Sequence, residues 1–152
     1  MTSPNALPNP TGKFVVQAAR RKNIDLDKAN VEQRFQIFQE ALKDMETAIS
    51  ETRRDHRWSD AFKRFVEMDL RPDLKYIIEE IVKIYRSRTE ASINSQSLEK
   101  IENHIDNAID KINLAMHMCG ESKIERCQNY CRRCEKSLYE AQLLLETPLE
   151  TP

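Results

Sequence analysis

The sequence predicts an all-α protein, an up-down four-helix bundle with a short accessory helix and disordered tails. Three observations predict it. Apolar residues recur alternately three and four apart along four separate stretches, the period of a helix with one buried stripe. No stretch sustains the period-two alternation of a strand. Only two glycines occur in 152 residues, where average usage gives roughly ten, so tight turns and bulges are scarce. Four such seams, joined by short polar breaks, bury themselves against one another. A long coiled-coil dimer is the chief rival, and a homo-oligomer stays among the expected assemblies; the Ser, Gly and Pro stops favour hairpins within one chain.

Residues 1–12, with three prolines, and residues 147–152 lack periodicity and read as flexible tails around a helical domain over 13–146. The accessory helix covers Lys13 to Lys22, with Phe14, Val15 and Ala18 on one side and basic residues at its end. Asp25 or Asp27 is the expected cap of the first long helix, whose seam is Val31, Phe35, Phe38, Leu42, Met45 and Ile49. Its pattern runs out between Ser50 and Arg57. Ser59 caps a shorter helix through Leu70, carrying Phe62, Phe65 and Val66. Pro72, favoured in a first turn, starts the next, with Leu74, Ile77 or Ile78, Ile81 and Ile84 or Tyr85. After a fading stretch from Ser87 to Gln96, a seam of Leu98, Ile101, Ile105, Ala108, Ile112, Ala115 and Cys119 ends at Gly120, the expected helix stop. Ser122 and Glu125 read as a capping box for the last helix, with Ile124, Cys127, Cys131, Cys134, Leu138, Ala141 and Leu145.

Composition excludes several classes. A chain that is 39% hydrophobic and 32% charged, with net charge −1, supports one sizeable core. Without glycine-rich loops it holds neither a dinucleotide fingerprint nor a P-loop. The charge is spread, and the footprint of a general nucleic-acid binder is missing. The first 23 residues contain no apolar run of signal-peptide length, so neither secretion nor a transmembrane segment is expected. Adjacent cysteines at helical spacing stand about 5–6 Å apart at Cβ, whereas a disulfide wants about 3.8 Å. Reduced thiols and a cytoplasmic location follow.

The most conspicuous motif runs from Cys127 through Cys131 to Cys134. Its letter spacing is similar to that of radical-SAM enzymes, which hold an iron–sulfur cluster. The likeness covers eight residues inside a capped helical seam, Arg133 stands where that family usually has an aromatic, and the reading is set aside. Copper(I) or zinc on Cys127, Cys131 and Cys134 is the stronger alternative, because Met116, His117, Met118 and Cys119 end the preceding helix and supply soft ligands. Folding the hairpin about Gly120 and Glu121 places opposite residues at numbers summing to roughly 243. Cys127 then faces Met116, Cys131 faces Ile112, and Cys134 faces Ala108 or Ile109. Only the first pairing adds a ligand, and a closed tetrahedral site needs more. The leading reading makes the three cysteines small apolar fillers, with thiol-redox chemistry as a further alternative. No cofactor is expected.

Catalytic spacings are sparse. Di-iron bundles need Glu-x-x-His on two helices, and no glutamate here precedes a histidine by three. The HEPN ribonucleases separate an arginine from a histidine by more than Arg53, Arg54 and His56 allow. MazG-type pyrophosphatases need two acidic pairs, of which Glu99 and Glu102 supply one. His56, His104 and His117 fall outside every seam and read as surface residues. The expected activity is therefore not enzymatic. The stretch Arg53, Arg54, Arg57, Trp58, Phe62 and Phe65 concentrates basic residues around the single tryptophan, with the aromatics on one helical face. That face either caps the helices or contacts another protein. Contact with nucleic acid or an anionic membrane is the lesser alternative, since Asp55 and Asp60 dilute the charge. The expected function is a small protein-interaction module.

Overall fold

The computed structural model describes residues 13–55, 60–87 and 95–146. Among these, every regular element is helical and none is a strand, and no helix is long and apolar enough to cross a membrane. The elements are α1 (Lys13–Arg21), α2 (Val31–Asp55), α3 (Asp60–Arg64), a π-helical turn (Phe65–Leu70), α4 (Arg71–Ser87), α5 (Ser95–Gly120) and α6 (Ile124–Glu146). The expected tails, and the Ser59 cap, lie outside the described residues.

Three helix boundaries differ from expectation, each for a local reason. The cap of α2 is Asn30, not Asp25 or Asp27. Its Oδ1 accepts the Gln33 amide at 2.8 Å while Gln33 Oε1 accepts the Asn30 amide at 3.0 Å, a reciprocal box that satisfies two orphan donors. Asp25 instead turns the preceding loop by accepting the Asp27 amide. Second, the chain does not stop before Pro72 but continues from α3 into α4. Pro72 has no N–H, and its ring would crowd the carbonyl four residues back. The π-helical turn absorbs this misfit, with the Arg71 amide reaching Val66 O. Inward residues Phe62, Val66, Leu70 and Leu74 are spaced by four three times running. On a helix of 3.6 residues per turn each such step drifts by roughly 40°, and the wider turn restores the alignment.

Third, Gly120 is helical, and the left-handed residue that closes α5 is Ser122 at φ 61°. Its amide meets Cys119 O at 3.0 Å, and that of Lys123 meets Met118 O at 2.9 Å, the paired bonds of a Schellman motif. Asn23, at φ 56°, ends α1 the same way, with Ile24 N on Ala19 O and Asn23 N on Arg20 O.

Every predicted seam residue of α2 from Phe35 to Ile49, of α5 from Leu98 to Ala115 and of α6 from Cys127 to Leu145 is buried. On α4 the inward choices are Ile77 and Ile84; Ile78 is half-buried and Tyr85 exposed. One continuous apolar cluster contains residues from all of these elements. Helix α6 packs along α5 and α2, α4 against α5, and α1 mainly against α2. Polar ties give the direction of α2 and α6: Arg53 meets Glu135, and Glu46 meets Gln142. A rising number on one helix meets a falling number on the other, so they are antiparallel. Helices α2 and α4 touch through side chains, with Phe38 edge-on to Tyr76 and Arg34 Nη1 3.4 Å from Glu80 Oε2. Helix α1 also touches α4, and its first turn is fixed by Asp73, whose Oδ2 accepts the Val15 amide at 3.0 Å. Its far end is tied to α2 by Arg21 with Asp44 and Glu40.

Candidate functional site

The aromatic and basic stretch does not form one surface in the described residues. Arg57 and Trp58 lie outside them. Phe62 is 1% exposed and belongs to the core, so it has no surface to offer a partner. Phe65 is half-buried, with its ring edge-on to Phe14 at 6.3 Å between centroids; it joins the π-helical turn to α1. Arg53 reaches across to α6, where its Nε and Nη2 donate to the two carboxylate oxygens of Glu135 at 3.0 and 3.2 Å. Such a two-pronged, partly buried pair is among the stronger polar ties, and its charge is matched. Of the four described, Arg54 alone is exposed beside a groove.

That groove lies between α2 and α6 and encloses about 400 Å³, lined by Lys43, Glu46, Thr47, Ser50, Glu51, Arg54, Glu135, Tyr139 and Gln142. Its floor is fixed by the Arg53–Glu135 pair and by Gln142, which donates to Glu46 Oε2 at 2.7 Å and accepts at its carbonyl from Gln39 Nε2 at 3.1 Å. Tyr139 in the lining and Leu143, one turn further along α6, are 49% and 41% exposed. Tyr139 shares the lining with two cations, Lys43 and Arg54, and three carboxylates, Glu46, Glu51 and Glu135.

The sulfur cluster faces inward. Cys127, Cys131 and Cys134 have no exposed surface, Cys119 is half-buried, and all four are free thiols. The hairpin register is close to that read from sequence, but the group meeting Cys127 is the Cys119 thiol rather than Met116. Cys119, Cys127 and Cys131 form a chain of thiol contacts. Burial pushes the Cys119 thiol up to about 11, and contact with Cys127 adds to this. Cys131 is held protonated by the hydrogen bond it shares with Cys127 and by burial. Cys127 moves the other way, because Cys131 and then Cys119 stabilise its ionised form against the cost of burial. Burial raises Cys134 as well. Among the described residues no group of three or more His, Cys, Asp or Glu is arranged to hold a metal ion.

A second groove, absent from the sequence reading, runs between α5 and α6. It encloses about 320 Å³ and is lined by His104, Asn107, Lys111, Arg133, Lys136, Ser137 and Glu140. The signal was present in the hairpin register, which sets Lys111 opposite residues near 133. No family model matches the sequence, and neither curated proteins nor solved structures yield a match.

Proposed function

We propose that the chain is a small non-catalytic interaction module of the cytoplasm that binds another protein through the groove between α2 and α6. The same proposal arranges α2, the run through α4, α5 and α6 as an up-down four-helix bundle with α1 as its accessory helix. Antiparallel α2 and α6, the tight α5–α6 hairpin and the contacts of α4 with both α5 and α2 support that arrangement. Unbridged thiols support a reducing compartment.

The observation that carries the functional reading is the exposed Tyr139 sharing the groove lining with Arg54, with Leu143 exposed on the next turn of α6. Large apolar side chains on a surface are ordinary singly and informative in groups, and Tyr and Arg are the residues that dominate binding energy at protein interfaces. The fixed floor limits the reordering that docking would cost. A segment with an apolar face and edges carrying both signs of charge suits Tyr139, the cations Lys43 and Arg54, and the carboxylates Glu46, Glu51 and Glu135. The test places a photo-crosslinking residue at Thr47 in the full chain. Capture of one protein that is competed by unlabelled native chain, and lost in the double variant Arg54→Glu, Tyr139→Asp with unchanged melting, is expected. Equal capture by the double variant overturns the reading.

A further inference from the structure

We propose that the groove between α5 and α6 binds a compact phosphate monoester, held by Lys111, Arg133 and Lys136. This site does not rest on the α2–α6 reading, since it lies on the opposite flank of α6.

The argument begins with register. Asn107 Nδ2 donates to Ser137 Oγ at 2.5 Å, so opposite residues on the two antiparallel helices sum to 244. His104 then faces Glu140, and Lys111 faces Arg133. Lys136 stands one turn along α6 from Arg133, on the same groove. Facing positions on packed helices are usually matched in charge, as Arg53 and Glu135 are on the other flank; facing like charges oppose docking. Here three cations line a groove that offers one carboxylate, Glu140. Among the described residues neither Arg133 nor Lys136 has a carboxylate within ion-pair distance, and Lys111 leans only on its chain neighbour Asp110 at 3.5 Å. Asp110 is 65% exposed while the Lys111 side chain is 24% exposed, so water screens the partner more than the lysine.

The rest of the groove is built to receive an oxyanion. Ser137 is buried, and its oxygen accepts from Asn107, which leaves its O–H to donate. The guanidinium of Arg133 is held 5.5 Å from the Tyr130 ring centroid, a cation–π contact that restricts it without neutralising it. A volume near 320 Å³ falls at the small end of ligand pockets. A monoester dianion presents several acceptor oxygens at one centre, matching a fork from Arg133 and point charges from two lysines. A single carboxylate would leave most of that charge unanswered. Glu140 at one end repels an extended polyanion and favours a compact ligand.

The experiment titrates the isotopically labelled full chain with inorganic phosphate and with glycerol phosphate, reading backbone amide shifts. A separate arm measures co-sedimentation with phosphatidylcholine vesicles containing phosphatidic acid. Saturable shifts centred on Lys111, Arg133, Lys136 and Ser137 are expected. Arg133→Gln and Lys136→Gln should each weaken binding about tenfold, while Lys75→Gln on α4 leaves it unchanged. Response to the soluble esters alone assigns a free ligand, and vesicle binding lost in Arg133→Gln assigns a headgroup; either supports the site. No saturable response in any arm, or equal weakening by Lys75→Gln, overturns it.

Discussion

Helices α4 and α6 both bury one face completely, yet with opposite chemistry. The hidden face of α6 carries Cys127, Cys131 and Cys134, while that of α4 carries Asp73 and Glu80, 0% and 1% exposed. A buried thiol behaves as a small apolar group and needs no partner. A buried carboxylate does, because its desolvation is repaid only by hydrogen bonds or charge. Asp73 obtains the Val15 amide, and Glu80 obtains Arg34 and Lys83, each at 3.4 Å. The difference teaches that the cysteine stripe of α6 is held by packing, which tolerates small changes of shape, and the buried carboxylates of α4 by specific polar ties to α1 and α2, which do not; the polar ties of α6 to its neighbours lie along the flanks of that stripe. No described buried side-chain nitrogen or oxygen lacks a partner, so removing one side of a tie creates a new defect.

The sharpest way to break the comparison is to put α4 chemistry into α6. Cys131→Asp introduces a buried carboxylate beside Glu135, near an Arg53 that is already paired with Glu135, and should cost about 3–5 kcal/mol in denaturant unfolding. A loss below the cost of Cys131→Ala would overturn the packing account of α6. Next comes Asp73→Ala, which orphans the Val15 amide and removes a cap of α1; about 2–4 kcal/mol is expected. Asp73→Asn keeps an acceptor in place and should lose less. Hydrogen exchange sharpens this, since Asp73→Ala should release the amides of α1 before those of α6. Cys131→Ala leaves only a small cavity and should cost about 1–2 kcal/mol.

Alkali tests burial at the α5 end of the thiol chain and on α4 without mutation. Burial raises Cys119 to about 11 from an ordinary 9.0, and burial followed by Glu80 raises Tyr76 to about 12 from 10.0. Both groups keep their protons in the folded chain at a pH where the unfolded chain has lost them. The folded state then binds more protons, so stability falls as pH rises. The loss should begin near pH 9 and continue to about 12, and Tyr76→Phe should flatten its upper part. A stability curve level across that window would contradict the buried setting of both groups.

How much of this was legible in the sequence follows from the same contrast. The seams from Val31 to Ile49, Leu98 to Cys119 and Ile124 to Leu145 were readable because an apolar residue at helical spacing has one place to go. Asp73 and Glu80 were not, since a charged residue is expected outward unless a partner is known, and the Val15 amide and Arg34 that meet them are 58 and 46 residues away. Phe62 stays open between a core and a contact role in the sequence because an aromatic beside basic residues reads alike in both, and its burial places it in the core. The π-helical turn shifts the phase of the residues after Arg64, Phe65 among them, so simple helical spacing does not carry Phe62 and Phe65 to one face. The candidate grooves needed the hairpin register and the side chosen by each helix, and a one-residue error in that register separates Lys111 from Arg133.

The smallest expected effects come from the hairpin itself, where sequence and structure assign the turn to different residues. If Gly120 were the left-handed stop, replacing it by alanine would be destabilising. The chain instead holds it in helical conformation with open space around its missing side chain. Gly120→Ala should therefore add up to about 1 kcal/mol, through helix propensity and a stiffer unfolded chain. Ser122→Gly should also stabilise, by a few tenths to about 1 kcal/mol, because φ 61° strains a residue with a Cβ. The reverse exchange discriminates: Ser122→Ala retains the strain and loses the hydroxyl, so it should not gain. If Gly120→Ala lowers the melting temperature while Ser122→Gly leaves it fixed, the left-handed turn sits at Gly120, and the register that brings Cys119 to Cys127 must shift with it.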